Sequence, residues 1–282
     1  MSISLSIMKT KAWLAAATRH LRDAGVTTAR LDCLVLLEDV TGLSRIQILS
    51  EDSDLSIAQL QKLDQYIARR SLHEPLAYIR GRSEFYGNEF SITKHVLEPR
   101  PESETIIDFL KRVSTGNQTV IVDIGTGSGA LAITAKLLFP HCRVIAIDID
   151  RRCLDTAAQN SQKHHATIEL LCSDLLKDID GALLADSIVL ANLPYVPNDY
   201  PLNEAAKHEP QQAIFGGTDG LSLYKSLFQQ LHDITHKPSS IIAESLPSQH
   251  AALTDIADEA GFQMSASEDF VQLFTTRARP QE

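Results

Sequence analysis

Apolar residues recur every three or four positions from about Ile7 to Gly81, in Trp13-Leu14…Leu21, Leu31…Leu34-Val35…Leu37 and Leu60…Leu63…Ile67. That is the spacing of helices with one buried face. Gly25, Gly42 and Gly81 stand just after such stretches, and Thr27-Thr28 and Ser53-Asp54 offer N-caps, so the pattern predicts four or five short helices in a small bundle. Past residue 82 the period changes. Aromatic and β-branched alternation around Gly87-Asn88, within SEFYGNEFSITKHVLEPRPESE, predicts a β-hairpin with a Gly-containing turn. Short apolar runs follow at 119–124, 143–148, 168–172, 187–191 and 239–244, separated by helix-like stretches such as Ala130–Phe139 and Cys153–Lys163. Such alternation predicts a parallel sheet with helices on both faces. The closing FQMSASEDFVQLFTTRARP holds two extended runs suited to an antiparallel hairpin on the sheet edge. The expected division is a helical bundle at 1–82, a hairpin and linker at 83–104, and an α/β domain at 105–282.

The 282 residues, 44% of them apolar, are enough for two cores. The opening MSISLSIMKTKAWLAAATRH lacks the long apolar centre and cleavage site of a signal peptide, and no stretch reaches bilayer length, so a cytoplasmic chain is expected. Cys33, Cys142, Cys153 and Cys172 are scattered without a C-x-x-C pair and read as buried thiols. His164-His165 reads as a solvated loop, and no metal site is expected. The net charge of −10 is uneven: residues 1–85 carry +1 and the remainder −11. An acidic α/β domain has no electrostatic footprint for nucleic acid, which argues against such a partner.

Candidate chemistry begins at VDIGTGSGAL (122–131), where Gly125, Gly127 and Gly129 lie between a strand and a helix start. Glycines there let the backbone turn sharply and approach a ligand. Asp148 ends the next strand, where a carboxylate can accept both hydroxyls of a ribose. Gly125-x-Gly127-x-x-Ala130 also satisfies a dinucleotide fingerprint. Asp123 argues against that option: its charge would face a pyrophosphate badly but suits the positive amino-acid end of S-adenosylmethionine. Asp174, after the third strand, is placed to accept from an adenine amino group.

ANLPYVPN (191–198) follows the fourth strand and reaches the same sheet edge. A planar N–H₂ group is a poor nucleophile because its lone pair is delocalised. The Asn192 side-chain oxygen and the Leu193 carbonyl can each accept one of its N–H bonds, Pro194 fixes the turn, and Tyr195 can stack on a planar amide or base. Catalysis of this kind is mostly positioning. A plain proline turn closed by a packing tyrosine is the bland alternative.

With these segments on the page, the chain resembles the bacterial glutamine-N5 methyltransferases of peptide chain release factors, the PrmC/HemK family, over nearly its whole length. The likeness rests on RRSLHEPLAYIRGRSEFYGNEF (69–90), EPRPESE (98–104), DIGTGSGALAI (123–133), N-x-P-Y and EPQQAIFGGTDGLSLY (209–224). It implies a seven-stranded Rossmann-like class I methyltransferase domain preceded by an all-α bundle that docks the release factor. It also implies S-adenosyl-L-methionine as donor, S-adenosyl-L-homocysteine as product, and action on the Gly-Gly-Gln loop of class 1 release factors. No metal is required, because the leaving sulfonium already carries the positive charge, and nothing in the sequence demands more than a monomer. The implied donor site is Gly125, Thr126, Gly127, Ser128, Gly129, Asp148, Leu175 after Asp174, and Asn192, to which the residue reading above adds Asp123 and Asp174; the implied glutamine clamp is Asn192, Leu193, Pro194 and Tyr195. Arg100 is either part of a rigid linker or a group that orders the substrate loop. Two departures stand out. Leu193 replaces the family's usual proline, as in the N-L-P-Y of rRNA adenine dimethyltransferases, which keeps a nucleic-acid amino group as the alternative acceptor. AESLPSQ (243–249) lacks a glycine common in the family.

Overall fold

The computed structural model describes residues 8–114 and 120–277. Ile7 of the helical pattern, Thr119 of the first expected strand and residues 278–280 of the last segment lie outside the described residues. The chain forms two compact units, residues 1–81 with 202–208, and residues 82–201 with 209–282. Among the described residues no helix is long and apolar enough to cross a membrane.

The first unit holds α1 (Thr10–Asp23), α2 (Ala29–Thr41), α3 (Arg45–Ser50), α4 (Ile57–Ser71) and α5 (Leu76–Arg80). Their apolar faces meet in a core that includes Trp13, Leu21, Leu37 and Leu63. Arg70 on α4 donates to the buried Asp32 on α2 at 2.7 Å, tying the two helices by charge. The cap of α4 is not Ser53-Asp54. Ser56 takes that place in a reciprocal box with Gln59, while Ser53 and Asp54 pair in an extended bridge with Lys9 and Thr10. The segment 202–208 joins this unit, with His208 Nε2 2.8 Å from the Leu72 carbonyl oxygen.

The second unit opens with a hairpin of β1 (Arg82–Phe85) and β2 (Asn88–Ser91). Its two-residue turn is Tyr86-Gly87, both at positive φ (49° and 73°), with Asn88 already in the strand. This is the backbone twist that two-residue hairpins require. A 3-10 turn at Pro101–Ser103 leads into α6 (Glu104–Val113). Then come β3 (Val120–Ile124), α7 (Ala130–Leu138), β4 (Arg143–Asp148), α8 (Arg151–Lys163), β5 (Glu169–Cys172) and β6 (Ile188–Ala191). The chain finishes with α9 (Ser222–Asp233), β7 (Ser240–Glu244), α10 (His250–Glu259), β8 (Phe262–Glu268) and β9 (Val271–Thr276).

The strands form one seven-stranded sheet in the order β5-β4-β3-β6-β7-β9-β8. Five are parallel, and the terminal hairpin adds two antiparallel strands at β7. Every residue of β3, β6 and β7 is buried, because helices cover both faces. That explains why these strands read as unbroken apolar runs.

His164 is not in a solvated loop: it ends α8 with Nε2 2.9 Å from the Glu89 carbonyl oxygen and its ring 4.8 Å from Phe90. The hairpin is fastened to α8 more firmly by Asn160, which is fully buried. Its Oδ1 accepts from Ser91 N at 2.7 Å, and its Nδ2 donates to the carbonyls of Ser91 at 3.0 Å and Ser128 at 2.8 Å. Cys33, Cys142 and Cys153 are buried thiols outside any disulfide, and Cys172 is half-buried. Replacing Asn160 by alanine removes the partner of three backbone groups, one of them the buried Ser128 carbonyl, and is expected to cost about 2–4 kcal/mol, read as a lower urea midpoint at an unchanged slope.

Candidate active site

The turn after β3 is tied to β4. Gly125 N and Thr126 N both donate to the Ile147 carbonyl, at 2.8 and 2.9 Å, and Gly127 N donates to Asp148 Oδ2 at 2.9 Å. Asp148 Oδ1 accepts from Asp150 N at 2.9 Å. Both oxygens are thereby fixed by backbone N–H groups while each keeps a lone pair for a further donor. Burial pushes this carboxyl up, and the two backbone bonds hold it partway down.

These groups line a cleft of about 1150 Å³, including its open mouth, at the carboxyl ends of the parallel strands. Gly125, Thr126, Gly127 and Ser128 form one wall, with Asp148 beside them. Asp174 and Leu175 close the end under β5. Asp174 is paired with Lys177, and Leu175 holds a left-handed backbone at φ 56°. Arg100, Asn192, Leu193 and Pro194 complete the opposite side. Arg100 is not a bare linker residue: its Nη2 donates to both oxygens of the buried Glu209, at 2.6 and 2.7 Å, joining the strap before α6 to the loop after residue 208.

Three expected site residues do not line the cleft. Asp123 is fully buried below the glycine turn, where its Oδ2 accepts from Thr126 Oγ1 at 2.6 Å and Ala132 N at 3.2 Å. Burial pushes its carboxyl up to about 7. It braces the turn instead of facing a ligand's charge, so the electrostatic case it made against a dinucleotide falls away. Gly129 faces α8. A methyl there would stand 3.0 Å from Ile133 and 3.1 Å from Ala157, so its role is close packing of α7 on α8. Tyr195 packs on the sheet core, and its hydroxyl donates to Glu244 Oε1 at 2.9 Å.

The Asn192 amide nitrogen is engaged at the cleft wall: Nδ2 donates to Ser103 Oγ at 2.8 Å. Among the described residues nothing hydrogen-bonds to Asn192 Oδ1 or to the Leu193 carbonyl. Below them the buried Tyr224 hydroxyl shares its proton between the carbonyls of Ala191 (3.0 Å) and Glu244 (2.5 Å). Behind the turn, Val196 exchanges hydrogen bonds with Ile214 and Gly216, and Gln249 Nε2 donates to the carbonyls of Tyr195 and Asp219 at 2.8 Å each. A methyl at Gly216 would stand 2.2 Å from the Pro194 carbonyl oxygen, so only glycine permits this approach. Ser103, Glu209, Glu244 and Gln249 were not singled out from the sequence. Glu244 alone left a signal, as an acid ending an apolar strand in the manner of Asp148. Among the described residues no three His, Cys, Asp or Glu side chains gather as a metal site.

Residues 12–81 match the model of the PrmC N-terminal domain, and residues 101–194 match that of ribosomal protein L11 methyltransferase (PrmA). The chain is 34% identical to the release factor glutamine methyltransferase of Staphylococcus aureus (strain NCTC 8325 / PS 47), over 72% of this chain and 74% of that one. It is also 34% identical to the enzyme of that name from Moorella thermoacetica (strain ATCC 39073 / JCM 9320), over 88% of this chain and 89% of that one. The chain belongs to the release factor glutamine methyltransferase family. Among solved structures, the hMettl16 catalytic domain in complex with MAT2A 3'UTR hairpin 1 matches with a TM-score of 0.55 at 13% identity. That match covers 86% of this chain and 92% of that one, and it shows the class I methyltransferase fold.

The raised carboxyl of Asp123 has a measurable consequence for this methyltransferase. Its folded value, about 7, lies above the unfolded one near 3.8, so the folded state holds the proton more tightly. The stabilisation is complete below about pH 4 and is lost as pH rises through about 7. Asp123→Asn is expected to flatten the fall of Tm over that window relative to the wild type, as thermal melts at several pH values will show. Parallel curves for the two proteins would remove Asp123 as the source.

Proposed function

We propose that this chain transfers a methyl group from S-adenosyl-L-methionine to the side-chain amide nitrogen of the glutamine in the Gly-Gly-Gln loop of class 1 peptide chain release factors. The observation that carries the reading is the pair of unused acceptors, Asn192 Oδ1 and the Leu193 carbonyl, at the edge of the cleft. Family membership supports the same substrate.

The residues present fit the donor. Asp148, held by Gly127 N and Asp150 N, keeps lone pairs for two vicinal hydroxyls, and the glycine turn allows close approach of a ligand. When bound, the donor supplies a methyl group on a positively charged sulfur, which departs as the neutral thioether S-adenosyl-L-homocysteine. The chain's own part is positioning. Two acceptors take the two N–H bonds of the substrate amide and aim its nitrogen. Those contacts also favour the positive charge that grows on nitrogen as its bond to carbon forms, before a proton is lost. The bundle, matched by the PrmC N-terminal model, is assigned to holding the release factor, and the enzyme to acting as a cytoplasmic monomer. A nucleic-acid amino group is the competing acceptor.

The deciding experiment is transfer of labelled methyl to a purified release factor, beside its Gln→Ala variant in the Gly-Gly-Gln loop, rRNA and DNA. Label is expected on the wild-type factor alone, and label on nucleic acid would sink the proposal. Asn192→Ala is expected to reduce turnover about 100- to 1000-fold with donor affinity kept. Asp148→Ala should instead weaken donor binding about 10-fold or more, measured by calorimetry.

A further inference from the structure

We propose that Ser103 and Glu244 are positioning residues that set which end of the Asn192 amide faces the cleft, an inference that rests on the amide clamp described above. An asparagine amide has nearly the same shape either way round, but only its oxygen can accept an N–H bond. Turned over, it would set an N–H₂ group against the substrate's own N–H₂ group, and the clamp would repel what it must hold.

The sheet supplies the means to prevent this. Ala191 lies opposite Ala243 in the parallel pairing of β6 and β7, so Asn192 and Glu244 leave adjacent strands at the same level. Glu244 is fully buried and Ser103 nearly so. Glu244 Oε1 accepts from the Tyr195 hydroxyl at 2.9 Å, while Oε2 is buried without a hydrogen-bond partner. Both carboxyl oxygens carry lone pairs that can accept, and an unpartnered buried acceptor favours donors around it. Burial pushes the Glu244 carboxyl up, and Ser103, Tyr195 and Asn192 pull it back toward the ionised form.

Direction would then pass along the chain of groups. The Ser103 oxygen accepts from Asn192 Nδ2 at 2.8 Å, which leaves its own proton for the unpartnered acceptor at Glu244. The carbonyl end of the amide is left for the cleft. The flipped amide would aim Oδ1 at a corner already rich in acceptors, with no proton for it. Neither Ser103 nor Glu244 needs to touch the donor or the reacting nitrogen for this.

The test compares full-length Ser103→Ala, Ser103→Thr and Glu244→Gln with Asn192→Ala and the wild type. Donor affinity is measured by calorimetry and single-turnover methyl transfer on a purified release factor. Ser103→Ala is expected to slow transfer about 10- to 100-fold with donor affinity and Tm near wild type, and Ser103→Thr, which restores a hydroxyl, to recover most of the rate. Glu244→Gln, which brings a donor into the acceptor corner, should also slow transfer more than it weakens donor binding. Wild-type rates in Ser103→Ala and Glu244→Gln beside a crippled Asn192→Ala would overturn the positioning role alone. A fully active Asn192→Ala would overturn the clamp, and this inference with it.

Discussion

Ile124 and Ala191 are the last paired residues of two adjacent parallel strands, and the chain leaves them in opposite directions. After β3 it turns toward β4, captured by two N–H bonds to Ile147. After β6 it turns toward β7, where the Tyr224 hydroxyl joins the carbonyls of Ala191 and Glu244. A parallel sheet whose order reverses at such a pair must open a cleft between the departing loops. The glycine turn and the Asn192 segment face each other because of that divergence, and no local feature of either loop would bring them together.

Each wall of the cleft is stiffened from below by a buried acid. Asp123, one residue before the end of β3, lies under the glycine turn, and Glu244 ends β7 under the Asn192 turn. Both are pushed toward the neutral form by burial and both gather hydroxyl or N–H donors. The bonds each acid makes are strong in such surroundings, although Asp123 Oδ1 and Glu244 Oε2 stay buried without a hydrogen-bond partner. The acids thus fix the frame, while Asp148, partly open to the cleft, keeps lone pairs for a ligand.

The sheet was legible in the sequence because strands covered on both faces need unbroken apolar runs, and glycines and acids at their ends mark the ligand edge. Less legible was the direction of a side chain. Asp123 sits where the acid of a glycine motif is expected, yet a strand with every residue buried turns it into the core. Tyr195 follows the clamp in sequence, but Glu244, 49 positions away, determines where its hydroxyl goes. Ser103 meets Asn192 across 89 positions, and Gln249 meets Tyr195 across 54. No periodicity or spacing encodes such contacts. They follow from strand order, which only the folded chain reveals. The helix cap at Ser56 was missed for a smaller reason: two serines three residues apart are equivalent by type, and the pairing of Ser53 with Thr10 decides between them.

Leu193, where the family commonly has proline, shows how one departure is absorbed. Proline would fix φ and carry no N–H. Leu193 N instead donates to the Tyr224 hydroxyl at 3.4 Å, a long bond that fastens the turn to the hydroxyl bridging β6 and β7. Its side chain is 2% exposed, and a methyl on Gly125 would lie 3.2 Å from its Cδ2. The leucine therefore packs directly against the glycine turn and couples the two walls of the cleft. On the far side, Gly216 N donates to the Val196 carbonyl and the Gly216 backbone presses on the Pro194 carbonyl. A turn held at its N–H, its side chain and its flank does not depend on a pyrrolidine ring for its shape, and the carbonyl that the clamp requires is present whichever residue stands there.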